Sequence, residues 1–277
     1  MAAERGCAVF ETLDDVARNS DAAVIATPTS THAEIGCRLM ELGCDVLVEK
    51  PIAHDVTSGQ MLVETAQRTG RILQVGHLER FNPAIIALSD AITTPLFFEV
   101  HRMSEFSPRS LDVDVVLDLM IHDLDIVLSI TKAMPEEVRA AGIHILSEHV
   151  DIANVRLQFP GGCVANLTAS RVSTERVRKL RLFQPGEYIS VDYTRQDGSR
   201  FKVGTDRKIS FATLGATKSE PLRLEIEEFI SCIRTRREPR VTGMQALSAL
   251  QVAQSILDKI EEHSRLVAQT LDVAGTQ

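Results

Sequence analysis

At 277 residues, 44% apolar and 25% charged, the chain has the make-up of a globular protein with room for two modest domains or one large one. Its net charge of −8 argues against a nucleic-acid partner or an anionic membrane, both of which favour a basic surface. The five cysteines (Cys7, Cys37, Cys44, Cys163 and Cys232) are scattered, without a Cys-x-x-Cys, which fits reduced thiols in the cytoplasm better than a disulfide framework or a zinc site.

No apolar stretch approaches transmembrane length, and residues 1–5 do not read as a secretory leader. Residues 1–6 read as the tail of a helix stopped by Gly6, and residues 7–10 as a short strand. From there to about residue 92, apolar strands at 22–26, 45–48 and 72–75 alternate with helices at 31–42, 57–69 and 82–92. This alternation is the pattern of βαβ units on a parallel sheet. Thr31-His32-Ala33-Glu34 has the form of a capping box, with Thr31 as N-cap, and Gly43 and Gly70 stand where helices stop.

After Pro95 the rhythm changes. A strand is expected at 96–103 and one helix at 115–130, then extended runs at 137–147, 150–159, 162–172, 177–184, 187–193 and 200–204. Gly161-Gly162 marks a hairpin turn, and helices at 220–236 and 243–266 close the chain. Strands that follow one another without helices imply an antiparallel or mixed sheet. The expected architecture is an α/β Rossmann-like domain over 1–93, truncated at its N-terminus, followed by an α+β domain over 94–277 with a mostly antiparallel open sheet. The sequence has no Gly-x-Gly-x-x-Gly, the turn that seats a dinucleotide pyrophosphate at a helix N-terminus. The first two strands and the phosphate loop are missing from the pattern, which reads as a late start codon rather than a true truncation.

Three segments carry the chemistry. In the first, the apolar run 44–48 ends in Glu49-Lys50-Pro51. Pro51 keeps Lys50 in an extended conformation, and the carboxyl ends of parallel strands face the ligand crevice, so Lys50 is a candidate proton-transfer group. The alternative is a surface Glu-Lys pair. In the second, Asp118, His122 and Asp125 recur at i, i+4 and i+7 in an apolar helix, so a helical reading puts them on one face. Buried polar groups of this kind are paired or used. A site facing a cleft, an internal hydrogen-bond network and a metal-dependent hydrolase centre are the three readings of that stripe; no further ligand motif supports the metal. In the third, Gly76-His77-Leu78-Glu79-Arg80-Phe81-Asn82-Pro83 follows a strand, and Arg80 either holds a substrate anion or pairs with Glu79. Further arginines at 102, 109, 171, 176, 178 and 181 suit a pyrophosphate-bearing substrate, although the 176–181 group also reads as a solvated strand face.

Together with Asp118-Leu119-Met120-Ile121-His122-Asp123-Leu124-Asp125, these blocks resemble the glucose–fructose oxidoreductase / inositol dehydrogenase (Gfo/Idh/MocA) family of NAD(P)-dependent sugar dehydrogenases, along almost the whole chain. The wording of residues 77–84, His101-Arg102 and Leu167-Thr168-Ala169-Ser170-Arg171 resembles the branch that includes UDP-N-acetylglucosamine 3-dehydrogenases. The resemblance implies NAD or NADP as cofactor and a sugar or UDP-sugar substrate, with hydride leaving its hydroxyl-bearing carbon. It implies Lys50 and His122 at that hydroxyl, either of them serving as base, with Asp118 orienting the imidazole. It also implies Thr27, Pro28, Ser30, His32, Glu49, Lys50 and His77 along the cofactor, and Arg80, Asn82, Arg102, Arg109, Asp125 and Arg171 on the substrate. The loop at 27–32 also reads as an ordinary strand-to-helix turn. A homodimer or homotetramer through the open sheet follows by the same analogy. A non-catalytic relative that binds a sugar nucleotide or a partner without cofactor is the rival reading, and the missing phosphate loop is its argument.

Overall fold

A computed structural model describes residues 2–106, 113–204 and 206–274. It divides into two compact units, one made of residues 1–77 with 225–247 and the other of 78–224 with 248–277. The first begins with α1 (Ala2–Arg5), α2 (Leu13–Arg18), β1 (Ala22–Ile25), α3 (His32–Glu41), β2 (Asp45–Glu49), α4 (Val56–Thr69) and β3 (Leu73–Gly76). The second holds α5 (Pro83–Ala91), β4 (Phe97–Glu105), α6 (Ile121–Thr131), β5 (Glu137–Ile143), β6 (Ile152–Gln158), β7 (Val164–Ser173), β8 (Val177–Gln184), β9 (Glu187–Asp192), β10 (Asp197–Val203) and β11 (Ile209–Thr213). Helices α7 (Pro221–Thr235) and α8 (Gly243–Ala274) each span a unit boundary along the chain.

In the first unit the strands pair in parallel in the order β1-β2-β3. β2 is buried along Asp45–Val48, as its run of Val-Leu-Val demands of a strand covered on both faces. The outer edge of β3 is met by residues 241–242: Val75 N donates to Val241 O at 3.2 Å, and Gln74 bridges to Thr242. Gly70 ends α4 in the left-handed conformation at φ 64°, where a glycine carries no steric penalty.

Two local expectations fail here. Residues 7–10 form no strand; no neighbouring strand pairs with them among the described residues, and Val9 is 76% exposed. Thr31 stands at the N-cap position of α3 but makes no capping hydrogen bond: a 3₁₀ turn at Thr29–Thr31 leads straight into the helix, and the Thr31 hydroxyl donates to Pro28 O at 2.8 Å. A residue already in the helical region cannot turn its hydroxyl onto the first free amides.

The second unit is an eight-stranded sheet in the order β11-β10-β9-β8-β4-β7-β6-β5, antiparallel throughout except for the β4–β7 pair. Phe98, Val100, Leu180, Leu182, Ala165, Leu167, Val155 and Leu157 line its covered face, together with Ile121, Leu124 and Val127 of α6 and Val252, Ile256 and Ile260 of α8. Thus an α/β unit and a mostly antiparallel α+β unit are both present, as expected. The turn between β6 and β7 places Gly161 and Gly162 at φ 78° and 86°, a conformation that favours glycine. Strand β11 was not expected. No helix among the described residues is long and apolar enough to cross a membrane.

Candidate active site

In the first unit, three strand ends define the crevice edge. After β1, the Thr27–Thr31 turn is tied by the Thr27 and Thr31 hydroxyls, 2.8 Å apart, leaving Thr27, Pro28 and Ser30 exposed. After β2, Glu49 and Lys50 are half-buried, and Lys50–Pro51 is a cis peptide. After β3 comes the buried His77. His32 links the first two ends: it is 1% exposed, with Nδ1 3.0 Å from Pro51 O and Nε2 3.0 Å from Thr27 O. Its ring thus fixes the spacing between the 27–31 turn and the Glu49-Lys50-Pro51 turn.

In the second unit, Asp118 lies in a π-helical turn, Val116–Met120, in which Ile121 N donates to Val116 O across five residues. His122 follows in the first turn of α6. Such turns are rare and concentrate at functional sites. The wider turn changes the register between Asp118 and α6 from that of a regular α-helix. Asp114 and Arg171 fix the entry to this turn. Asp114 Oδ1 accepts from Val150 N at 2.8 Å, and Val115 N donates to Val150 O at 2.9 Å. Arg171 Nη2 donates to the carbonyls of Val113 and Val150, and its Nε lies 3.5 Å from Asp151 Oδ1.

The remaining expected substrate residues are drawn inward. Arg80 Nη1 stands 3.4 Å from both oxygens of the buried Asp125. Arg102, 2% exposed, donates from Nε and Nη2 to Asp123 at 2.6 and 2.9 Å and from Nη1 to Glu79 at 3.0 Å, over the Tyr193 ring. Burial works against its charge, but Asp123 and Glu79 outweigh burial and raise its pKa. Arg178, 3.6 Å from Glu79, is lowered by burial and by the Arg102 charge. Asn82 Oδ1 accepts from Ala84 N at 3.1 Å as the N-cap of α5, and its Nδ2 donates to Tyr193 O at 2.9 Å. Arg102, Asn82 and Arg171 are therefore engaged within the unit, and Arg80 and Asp125 face each other. Arg109 lies outside the described residues.

Sequence reasoning missed Asp123 and the pairing of Glu79 with Arg102, and it missed Asp151 and Glu225. One signal was available for the first two: Phe98, Val100 and Arg102 alternate on the covered face of β4, so an inward arginine had to find buried acids. Among the described residues no group of three His, Cys, Asp or Glu is arranged to hold a metal ion.

The residues present fit one half of a nicotinamide dinucleotide. A Cβ at Gly76 would come within 2.9 Å of Glu49 Oε2, so the glycine lets the Glu49 carboxylate lie against the end of β3. The strand ends offer hydroxyls, a carboxylate acceptor and a lysine, the donor set that a nicotinamide-bearing ribose takes. No glycine-rich turn opens a helix for the pyrophosphate among the described residues.

Comparison with known proteins agrees with this division. Residues 1–77 match the oxidoreductase family with an NAD-binding Rossmann fold, and residues 91–184 match the GFO/IDH/MocA C-terminal domain. The UDP-N-acetylglucosamine 3-dehydrogenase of Acidithiobacillus ferrooxidans is 35% identical over 94% of this chain and 85% of its own length. Its solved structure superposes with a TM-score of 0.90 over the same shares of each chain. The NAD(+)-dependent scyllo-inositol 2-dehydrogenase of Bacillus subtilis is 28% identical over 88% of this chain and 75% of its own. An aldose–aldose oxidoreductase from Caulobacter crescentus, 23% identical over 95% of this chain and 85% of its own, shares the fold at a TM-score of 0.81. The chain belongs to the GFO/IDH/MocA family of NAD(P)-dependent oxidoreductases.

Proposed function

We propose that this oxidoreductase acts on a nucleotide sugar, transferring hydride from C3 of UDP-N-acetylglucosamine or a close analogue. The observation that carries this reading is the likeness, over 94% of the chain, to a dehydrogenase of that substrate. A bound nicotinamide supplies the hydride acceptor. This chain's own residues manage the proton: as the carbon is oxidised, the hydroxyl proton passes to Lys50 or His122, with Asp118 orienting the imidazole. Glu49 and the 27–30 turn would hold the nicotinamide ribose, and His32 keeps the two turns in place. The non-catalytic alternative is not favoured, because the UDP-N-acetylglucosamine and scyllo-inositol relatives are dehydrogenases. The direct test is NADH formation when purified protein is mixed with NAD and UDP-N-acetylglucosamine; inositol and free aldoses serve as competing substrates.

We further infer a homodimer or homotetramer assembled through the outer face of the eight-stranded sheet. Along that face Phe97, Phe183, Tyr188, Phe201 and Phe211 form one ladder across five strands, ring centroids 5.0–5.8 Å apart, and Phe211 is 61% exposed. Contiguous exposed apolar surface of this kind marks an interaction face.

A further inference from the structure

Strands β2 and β3 run in a register that sets Leu47 beside Gln74 and Glu49 beside Gly76. Because side chains alternate along a strand, Glu49, Gln74 and Gly76 share one face of this sheet. Helix α7 brings Glu225 onto that face, where Gln74 Nε2 donates to the Glu225 carbonyl at 3.2 Å. The Glu49 carboxylate leans into the space over Gly76.

Both added groups are enclosed. Gln74 is 0% exposed and Glu225 1% exposed, and neither Gln74 Oε1 nor Glu225 Oε1 has a hydrogen-bond partner. Two buried acceptor oxygens without a donor, beside the Glu49 carboxylate, make a costly arrangement while both carboxyls are ionised and can only accept. It is resolved when one of them carries a proton, since a protonated carboxyl is a donor. Of the two carboxyls Glu225 is the more deeply enclosed. Burial, and then the charge of Glu49, push its pKa up to about 8. It shares this side of the sheet with Glu49 from β2 and the neutral Gln74 from β3, whose amide holds the Glu225 backbone carbonyl.

We propose that Glu225 is a buried carboxylic acid whose proton positions Glu49, and that this pair sets the Glu49-Lys50 turn to receive the cofactor ribose. The second half of this statement rests on the function proposed above; the first half does not. Glu225 is a positioning residue: it acts through Glu49 and touches no reacting atom.

The proton is read directly by infrared spectroscopy of the full chain across pH. A carboxylic-acid carbonyl band should persist at about pH 7, where an ordinary glutamate is ionised, disappear in Glu225→Gln, and titrate at lower pH in Glu49→Gln. The second variant keeps the test decisive should the first fail to fold. Thermal unfolding gives an independent reading. The folded chain holds a proton that the unfolded chain releases, so wild-type stability should fall as pH rises from about 5 to about 8; Glu225→Gln should flatten that slope. A band present in both wild type and Glu225→Gln, or one that ignores Glu49→Gln, overturns the proton.

Positioning is read by NADH titration. Glu225→Gln keeps a donor and should bind like wild type, whereas Glu225→Leu should bind about tenfold more weakly, a difference of about 1.4 kcal/mol. Equal binding by Glu225→Leu overturns the positioning half alone. Absence of NADH binding by the wild type counts against the proposed function and leaves the infrared result to decide the proton.

Discussion

Arg102 and Asp123 form a two-pronged ion pair, 2.6 and 2.9 Å, inside the second unit and one residue after His122, the candidate catalytic group in α6. Both side chains are at most 3% exposed, and Glu79 completes the pairing at 3.0 Å. Arg102→Met would strand two buried carboxylates, a change that typically costs about 3–5 kcal/mol. Urea unfolding should show a loss of that size, and Arg102→Lys should recover only part of it, because an ammonium cannot make the fork. A loss below about 1 kcal/mol for the methionine variant would show that the cluster is not what holds β4 to α6.

Asp151 is the acid-sensitive point of the second unit. It is 0% exposed and accepts from the amides of Ile145, Leu146 and Ser147 and from the Ser147 hydroxyl. Burial alone would raise its pKa; these donors outweigh burial and hold it at about 2. A carboxyl lowered in the folded state stabilises above its unfolded value and loses that contribution as pH falls through the folded one. The wild type should therefore lose up to about 2 kcal/mol between about pH 4 and pH 2. Asp151→Asn should be less stable at neutral pH and show a shallower acid slope. Parallel acid slopes for the two proteins would contradict this.

The aromatic ladder predicts assembly. Phe211→Lys and Tyr188→Lys each place a charge in the row of rings, on the side of the sheet away from its core. Light scattering should find the wild type as a dimer or tetramer and the double variant shifted towards monomer, with unchanged circular dichroism. A monomeric wild type would remove this inference, and an unchanged oligomer in the variant would place the interface elsewhere.

Much of the architecture was legible because burial imposes period. The Val-Leu-Val run of β2 announced a buried strand, and extended runs following one another without helices announced an antiparallel or mixed sheet. Strand β11 was hidden because all five of its residues are exposed, leaving no alternation to read. The π-turn at Val116–Met120 was hidden because its apolar residues suit either helix. Strand-end turns around Lys50 could be placed from proline chemistry alone. The inward course of Arg102 and Arg171 could not be read from residue type, since an arginine is as suited to a phosphate as to a buried acid. Nothing local to residues 225–247 signals their return to the first unit, so Glu225 could not be connected to Glu49 from sequence.

Lys50 decides the central claim. The measurement is the initial rate of NADH formation from NAD and UDP-N-acetylglucosamine, wild type against Lys50→Ala, with the fold of the variant checked by its melting curve. The account predicts turnover by the wild type and a loss of about 10²-fold or more in the variant, the size expected when a proton-transfer group is removed. Undiminished turnover in Lys50→Ala, or a wild type that forms no NADH from any nucleotide sugar, would contradict it.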